Sequence, residues 1–416
     1  MKFLRSLLLL AIFSFFLVAP NLQGQSPRLV LLEHFTQASC PPCATWNPTV
    51  QALLNANPDK ITSVKYQTSW PGVDPMNAQN PQEVASRVGV YGVVGVPYSV
   101  IDGNYFSGSP SNWNLTTVNN RYAMSSPLEI QLTKALNVAQ DSIFVTMLVK
   151  ATGPVSGNIG AYIAVVENHI HFNIAPGTNG EKDFYNVMKK MLPNAFGTTL
   201  PADMAVGDYV VLQYAWKLAN VYDKTELDVK AWVQNRSSKE VLQAANVTAS
   251  ISPLYASDGA LLAVLGVGDN WCRETMTPQV VLRNQGSQPL TSAQVRYSLN
   301  GGTEITHDWT GSLGFMEEVT ITLPTGNLTL ESANDLKAYI HTTNGSVDDY
   351  TRNDTLRTSF SLAPATSEKV YFFMKLDNKP WETTWELVDD QGNVAYSGGP
   401  YTNPGQTVQQ TFNLGT

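Results

Sequence analysis

Cysteine is scarce in this chain, which has three cysteines among 416 residues. Because three cysteines are too few for a disulfide framework, the stability of the folded protein must come from packed hydrophobic cores. A structural zinc site needs about four ligands, and the chain offers a single Cys-x-x-Cys pair, a distant Cys272 and five scattered histidines. We therefore predict no metal site and no bound cofactor.

Charged residues are also few, at 14% of the chain, and the 34 acidic residues outnumber the 26 basic ones. The formal net charge is −8, and removing a leader that contains Lys2 and Arg5 changes it to −10. Because nucleic-acid binding depends on neutralising phosphates with basic side chains, this balance argues against a nucleic-acid partner.

Long apolar runs are confined to the N-terminus. Lys2 and Arg5 precede an apolar segment over residues 7–18, and small or turn-forming residues follow as far as Gly24. This arrangement is typical of a secretory signal peptide, so we predict that residues 1–24 are a leader and that the protein is secreted. No later run approaches the roughly 20 residues of a membrane-spanning helix, so we predict no transmembrane span in the mature chain.

The feature with the clearest chemistry is Cys40-Pro41-Pro42-Cys43, which lies between an apolar strand pattern and a helical pattern. A thiolate at Cys40 is stabilised by the positive end of the helix dipole, and prolines are tolerated in a first helical turn. We predict that Cys40 is the nucleophile and that Cys43 resolves the mixed disulfide. The pair alone is also compatible with half a zinc site or a structural clip.

A second motif follows at residues 91–97, which read Tyr-Gly-Val-Val-Gly-Val-Pro. With Pro48, five residues after Cys43, and the strand pattern at 61–65, this motif resembles the thioredoxin family over about residues 28–122. The resemblance implies that Pro97 is cis and faces the cysteine pair. It further implies that the substrate peptide pairs with the backbone of Val96 and contacts the Pro-Pro turn between the cysteines.

Two residues depart from the thioredoxin pattern. His34 stands where that family has a buried aspartate, and Ser39 replaces the usual tryptophan before Cys40. His34 is interpreted either as a proton shuttle for Cys43 or as a core residue with its hydrogen bonds satisfied. A third interpretation gives the role of the acid to Glu33, after a small shift of the strand.

From residue 126 the pattern changes to the alternation of β-strands, which predicts a β-sandwich over residues 125–252. Residues 184–192 are predicted as a short helix or a loop-packed segment. The order of the segments 161–170, 185–193 and 231–244 resembles the outer-membrane-protein-related thioredoxin-like family of Gram-negative envelope proteins. This resemblance covers about residues 28–250 and implies a location in the periplasm, in the outer membrane or at the cell surface.

The remaining chain also has β-strand patterns. Residues 253–363 combine strand patterns with Asn-Gly turns and resemble cell-adhesion-related immunoglobulin-like domains of bacterial surface proteins. Residues 364–416 are predicted to be a partial β domain. With residues 25–124 as the thioredoxin-like domain, the predicted fold class is a multi-domain α/β plus all-β protein, with an N-terminal thioredoxin-like domain followed by β-sandwich domains.

Two groups of residues have the side chains that metal ions prefer. Glu167, His169 and His171 alternate along a strand and so share one face, although a polar strand edge is the favoured interpretation. A second group has hard oxygen ligands suited to Ca²⁺ but lacks EF-hand spacing, so solvated loop acids are favoured there. This second group consists of Asp348, Asp349, Asn353 and Asp354.

Two functions remain open from the sequence. The first is a cell-envelope thiol–disulfide oxidoreductase that acts on protein or peptide thiols and disulfides, with Cys40–Cys43 as a redox-active disulfide. The alternative is a non-catalytic surface-binding or adhesion protein with a structural disulfide, whose β domains contact a partner. The exposure of the sulfurs distinguishes them, because a reactive Cys40 should be partly accessible beside Pro97 whereas a structural clip would bury both sulfurs.

Overall fold

The computed structural model describes residues 25–327, 329–363, 369–389 and 392–413. The predicted signal peptide, residues 1–24, lies outside the described residues. The chain divides into two compact units between Ser252 and Pro253. Among the described residues, none of the helices combines the length and the apolar character needed to cross a membrane.

The first unit contains four α-helices and fourteen strands among its described residues. The helices are α1 (Pro41–Ala56), α2 (Pro75–Gln79), α3 (Pro81–Tyr91) and α4 (Leu115–Tyr122). The strands are β1 (Val30–Thr36), β2 (Ile61–Gln67), β3 (Tyr98–Ile101), β4 (Phe106–Gly108), β5 (Leu128–Leu136), β6 (Ser142–Ala151), β7 (Val155–Ser156), β8 (Ile159–His171), β9 (Asp183–Leu192), β10 (Thr198–Thr199), β11 (Asp203–Met204), β12 (Tyr209–Lys217), β13 (Leu227–Asn235) and β14 (Val241–Asn246).

A nine-stranded mixed sheet is the centre of this unit. Its order is β14-β13-β8-β9-β2-β1-β3-β4, and β10 pairs with β8. Strand β2 is parallel to β1 on one side and to β9 on the other, where Lys65 lies opposite Val187. The sheet therefore joins strands that lie before residue 109 with strands that lie beyond residue 158.

The predicted fold class is wrong. Strands make up 48% and helices 13% of the described residues, so the protein is mainly β rather than an α/β domain followed by β-sandwiches. The physical reason is the pairing of β2 with β9, because that contact continues the sheet into β8, β13 and β14. The strands around the cysteine pair are consequently one part of a larger β structure.

Strand β8 contributes to two separate hydrophobic cores because successive side chains of a strand point to opposite faces. Ile163 and Val165 pack into the core between the large sheet and a three-stranded sheet of order β12-β6-β5. Ala164 and Val166 pack on the opposite face, in the core that includes Val84 of α3. Both faces of β8 are therefore buried.

Strand β9 corrects a local prediction. Residues 184–192 were expected to form a short helix or a loop-packed segment, but Asp183–Leu192 is a strand between β8 and β2. Buried side chains lie on both faces of this strand, as in a central strand, so the period-2 alternation is absent from its sequence.

The second unit contains only strands and one short 3₁₀ turn among its described residues. Its strands are β15 (Gly259–Leu265), β16 (Asn270–Trp271), β17 (Thr275–Met276), β18 (Gln279–Asn284), β19 (Leu290–Leu299), β20 (Ile305–Leu313), β21 (Glu318–Thr322), β22 (Gly326–Asn327), β23 (Ala333–Thr343), β24 (Thr355–Leu362), β25 (Lys369–Lys375), β26 (Trp385–Val388), β27 (Val394–Gly398) and β28 (Thr407–Asn413).

Two of its sheets form a β-sandwich. A three-stranded sheet of order β15-β18-β21 and a five-stranded sheet of order β16-β24-β23-β19-β20 share one hydrophobic core. Val280 and Leu282 enter this core from the smaller sheet, and Val295, Leu336 and Ala338 enter it from the larger one. The predicted β-sandwich character of this region is confirmed. Strands β25 to β28 form two separate antiparallel pairs, β25 with β28 and β26 with β27.

Candidate functional site

The cysteine pair lies at the N-terminus of α1 and forms a disulfide. Cys40 is the N-cap residue with extended backbone angles, and its sulfur accepts a hydrogen bond from the backbone N–H of Cys43 at 3.2 Å. Pro41 and Pro42 occupy the first turn, where a helix has no internal partner for an N–H group, and both are exposed. This is the local geometry that the sequence predicted.

Val96 and Pro97 lie against the disulfide. The Val96–Pro97 peptide bond is cis, and the carbonyl oxygen of Val96 is 3.4 Å from the Cys40 sulfur. A disulfide sulfur carries no proton, so this separation is a packing contact rather than a hydrogen bond. The structure thus brings together Cys40, Cys43, Val96 and Pro97, and the next residue on the N-terminal side, Gly95, is exposed.

A second segment packs on the residues that lead into the disulfide. The loop between β8 and β9 places the side-chain amide of Asn179 3.1 Å from the carbonyl oxygen of Cys40, to which it donates. The backbone N–H of Thr178 donates to Ser39 Oγ at 3.1 Å. Gly177 lies so close that a Cβ there would be 2.2 Å from the carbonyl oxygen of Ala38. The loop therefore packs tightly on the residues that precede the disulfide.

The insertion before α2 contacts the same residues before the disulfide. Ser39 Oγ donates to the carbonyl oxygen of Val73 at 2.8 Å, and Asp74 accepts the backbone N–H of Ala38 at 2.9 Å. As a result Cys40 is 2% exposed and Cys43 is fully buried. The sulfurs are enclosed, whereas the proline side chains between them face solvent.

His34 is buried beneath α1 and is held by two hydrogen bonds. Its Nε2 lies 3.0 Å from Asn47 Oδ1 and its Nδ1 lies 3.0 Å from Ser99 Oγ. Because the Asn47 oxygen can only accept, the proton is assigned to Nε2 and the Ser99 hydroxyl donates to Nδ1. Burial, reinforced by the charge of Lys65, lowers the pKa of His34 to about 3. The imidazole is therefore neutral at physiological pH.

Glu33 lies on the other face of β1, as strand alternation requires. Its carboxylate accepts hydrogen bonds from Arg87 at 2.7 Å and from Tyr66 at 2.9 Å, and it also accepts one from Tyr91. Arg87 is completely buried. Glu33 thus forms an ion pair with Arg87 of α3 and does not lie beneath α1 with His34.

The sequence reasoning missed a polar chain that links His34 to the covering loop. The Asn47 side-chain amide donates to Glu181 Oε1 at 2.7 Å, and Asn179 donates to Glu181 Oε2 at 2.6 Å. Burial raises the pKa of Glu181. Asn47 and Glu181 are 134 residues apart in sequence, so no local spacing could have indicated this contact.

A cavity of about 410 Å³ lies beside α1, where Lys65 and Glu181 are among its lining residues. Lys65 Nζ donates to Gln51 Oε1 at 2.7 Å. Burial lowers the pKa of Lys65 to about 7, partly opposed by the charge of Glu181. The cavity therefore combines an amine that is partly neutral near pH 7 with a buried carboxyl group.

The first predicted metal-binding group is divided by the structure. Glu167 is fully buried and forms an ion pair with Lys189 at 3.0 Å. His169 and His171 lie further along β8, where both approach Asp183 of β9 rather than Glu167. Asp183 was not among the predicted residues, because its place opposite His171 depends on the pairing of β8 with β9.

The acids between 348 and 354 serve mainly as turn caps in the second unit. Asp348 accepts the backbone N–H of Gly259 at 2.6 Å and that of Tyr350 at 2.7 Å. Asp349 accepts the backbone N–H of Ser257 at 2.8 Å. Burial, with Asp348 and Asp258 nearby, raises the pKa of Asp354 to about 8.

The remaining cysteine, Cys272, is exposed and is not part of a disulfide. It lies in the second unit, and Cys40–Cys43 belongs to the first.

Comparisons with known proteins were made for the whole chain. No protein-family model and no curated protein sequence matches it. Among solved structures, HBP35 of Porphyromonas gingivalis is similar at 14% identity and a TM-score of 0.44, covering 72% of this chain and 100% of that one.

Two further similar structures were found. The CARDB domain of a Pyrococcus furiosus protein, solved with di-metal ions, has 22% identity and a TM-score of 0.23, covering 29% of this chain and 100% of that one. Red sea bream transglutaminase has 13% identity and a TM-score of 0.21, covering 60% of this chain and 33% of that one. All three TM-scores lie below 0.5, so we base no argument on these similarities.

Proposed function

We propose that this protein is a non-catalytic surface-binding protein in which Cys40–Cys43 is a structural clip. The observation that supports this proposal best is the burial of both sulfurs, with Cys40 2% exposed and Cys43 not exposed at all. Thiol–disulfide exchange requires a thiolate to attack one sulfur in line with the bond, so enclosed sulfurs react slowly. Val96 contacts the Cys40 sulfur directly, and Asn179 and Val73 hold the neighbouring Cys40 carbonyl and Ser39 side chain.

A structural role also fits the local chemistry of His34. A proton shuttle for Cys43 should have a pKa near the working pH, and the pKa of His34 is lowered to about 3. Both ring nitrogens are occupied by hydrogen bonds to Asn47 and Ser99. These contacts support the interpretation of His34 as a satisfied core residue.

The proposed location is outside the cytoplasm, at the cell surface or in the envelope of a Gram-negative bacterium. Disulfides persist in such oxidising compartments, and the N-terminal sequence pattern is typical of a secretory leader. The proposed partner is another surface molecule, bound through the β-rich regions, which include the β-sandwich in the second unit. The net charge of −8 disfavours nucleic acid.

The test is the reduction potential of Cys40–Cys43 in the purified mature protein, with Cys40→Ser as the control that cannot form the bond. We expect a potential below about −300 mV, which is the range of structural disulfides. A value between roughly −120 and −270 mV, the range of known exchange proteins, would contradict the proposal.

Thiol–disulfide exchange remains the second candidate because one observation favours it. Cys40 caps a 16-residue helix, and its sulfur faces the carbonyl oxygen of Val96 beside an exposed Pro41-Pro42 turn. In that function Cys40 attacks, Cys43 resolves, and the substrate peptide lies along Val96 and Pro97. The same reduction potential separates the two functions, and turnover of a disulfide-bonded protein substrate would directly support the second.

A further inference from the structure

Two neighbouring strands bring three metal-binding side chains together on one face of the large sheet. His169 and His171 are two residues apart on β8, so their side chains point the same way. On β9, Asp183 lies directly opposite His171, and Tyr185 lies opposite His169. The convergence is therefore set by the backbone register and not by a flexible loop.

The three side chains already share one point of contact. His169 Nε2 and His171 Nδ1 each lie 2.8 Å from the same oxygen, Asp183 Oδ1. The two nitrogens and the carboxylate oxygen all lie within 4.8 Å of one another. The Tyr185 ring stacks on the His169 imidazole, with 4.7 Å between ring centroids and 11° between planes, which restrains its orientation.

The surroundings leave room for a metal ion and for water. The side chains of His169, His171 and Asp183 are 38%, 53% and 45% exposed. Glu167, the next side chain on this face of β8, is paired with Lys189 and is not available as a ligand. The three donors thus face solvent, where further coordination positions would be filled by water.

The donor set suits a divalent ion of the zinc class. Zinc binds imidazole nitrogen and carboxylate oxygen at about 2.0–2.2 Å, which places tetrahedral neighbours about 3.4 Å apart. The present 2.8 Å contacts would have to lengthen by about 0.6 Å, a change that small rotations of half-exposed side chains provide. A coordinating nitrogen carries no hydrogen, so in the metal-bound form the hydrogen of each neutral ring would lie on its other nitrogen, His169 Nδ1 and His171 Nε2.

We propose that His169, His171 and Asp183 bind one divalent transition-metal ion of the zinc class, with water completing its coordination. This site is independent of the disulfide and of the function proposed above. It departs from the sequence prediction of no metal site, and its carboxylate comes from Asp183 rather than from Glu167, the acid of the metal-binding interpretation that the sequence analysis did not favour.

The test is a titration of the full mature chain, without an affinity tag, with Zn²⁺ followed by isothermal titration calorimetry. The measurements use a Cys272→Ser background, because the exposed thiol of Cys272 is itself a zinc ligand. We expect one Zn²⁺ per chain. Loss of an outer-shell partner typically weakens metal binding by about 10- to 100-fold. His169→Ala, His171→Ala and Asp183→Asn each remove a direct ligand, so each should weaken Zn²⁺ binding by at least that factor.

His341→Ala is the matched control, because His341 is an exposed histidine in the second unit. Its zinc affinity should equal that of the parent protein. Co²⁺ provides a second readout, since the intensity of its visible absorption distinguishes a bound ion from a hydrated one. Zn²⁺ should also raise the Tm of the parent but not of the His169→Ala/His171→Ala double variant.

The proposal is overturned if the double variant binds Zn²⁺ as tightly as the parent. It is equally overturned if Asp183→Asn leaves both the affinity and the Co²⁺ spectrum unchanged. Unfolding curves of the metal-free variants establish that they are folded, so a loss of binding cannot be attributed to misfolding.

Discussion

At the scale of single residues, two buried polar side chains on opposite faces of β1, His34 and Glu33, have distinct roles. His34 is a neutral ring satisfied by two hydrogen bonds, whereas Glu33 on the opposite face is a charged partner of Arg87. Neither group is exposed. Of the two, His34 makes a contribution to stability that depends on its protonation state, because burial lowers its pKa to about 3.

The His34 ring should make the protein sensitive to acid. Its pKa is about 3 in the folded protein and about 6.5 in a model peptide, so the unfolded chain binds the extra proton over that interval. Stability should therefore fall as the pH drops from about 6.5 towards 3, with a slope of up to about 1.4 kcal/mol per pH unit from this group.

Denaturant unfolding at several pH values measures this effect as the difference between the parent and His34→Gln. The difference should vary with pH below about 6.5 and be constant above it. His341→Gln, which changes an exposed histidine, should leave the pH profile as it is in the parent. A parallel pH dependence for His34→Gln and the parent would show that His34 titrates normally.

The ion pair between Glu33 and Arg87 gives a second prediction. Glu33→Gln leaves the fully buried guanidinium of Arg87 without its counter-charge, so unfolding free energy should fall by about 3–5 kcal/mol. Lys134→Gln, which breaks an ion pair of an exposed lysine with Asp228, should cost no more than about 1 kcal/mol. If urea unfolding shows that both variants lose the same free energy of unfolding, the Glu33–Arg87 ion pair is not the stronger of the two.

Some residues of the site are predictable from sequence and others are not. Cys40 and Cys43 are recognisable because their chemistry lies in a four-residue motif, and Pro97 because its own motif surrounds it. Glu181 and Asn179 reach the site through a loop more than 130 residues away, which shows no periodicity or spacing. Their role depends on tertiary contacts, which a single sequence does not encode locally.

At the scale of elements, the β8–β9 loop determines how accessible the N-terminus of α1 is. Gly177 makes the closest approach, and Asn179 holds the Cys40 carbonyl. The loop joins two strands of the central sheet, so its ends are fixed. Access to the disulfide thus depends on opening this loop or the insertion before α2.

Gly177→Ala should make the disulfide more reactive. Its Cβ would overlap the Ala38 carbonyl oxygen, and overpacking of about 1–3 kcal/mol favours the open loop by about 5- to 150-fold. Reduction of Cys40–Cys43 by dithiothreitol, followed by thiol labelling, should accelerate to that extent. Gly95→Ala is the control, since a Cβ at Gly95 meets nothing within 4 Å. Equal rates for both variants would mean that the loop is not the barrier.

The error in the element prediction at β9 has a physical cause. Amphipathic strands reveal themselves through alternation, but β9 is covered on both sides, by Met188 and Met191 in one core and by Phe184 and Val187 in another. A continuous apolar segment with two lysines is equally compatible with a helix. Only the neighbouring strands decide between the two.

At the scale of the whole molecule, one continuous nine-stranded sheet of the first unit includes strands from both of the domains that the sequence suggested. The core on the α3 face contains sixteen buried residues, of which seven precede residue 125 and nine follow it. The later ones include Tyr162 and the fully buried Trp232, whose rings stack at 5.3 Å. This core therefore depends on both parts of the unit.

A fragment of residues 25–124 should consequently lack a fixed tertiary structure, whereas residues 25–252 should fold. The shorter fragment exposes the β2 edge and loses more than half of the buried residues of that core. Near-UV circular dichroism and NMR chemical-shift dispersion of the two fragments measure this. A cooperatively unfolding 25–124 fragment would instead support the separate N-terminal domain expected from the sequence.

Strand β8 also limits how the gene for this protein can change. Its alternate side chains serve two different cores, so a one-residue insertion or deletion inside Ile159–His171 would turn every later side chain to the wrong face. Substitutions that keep the volume are tolerated in such a strand, but changes in its length are not. Over evolutionary time, the length of β8 should therefore vary less than the identity of its residues.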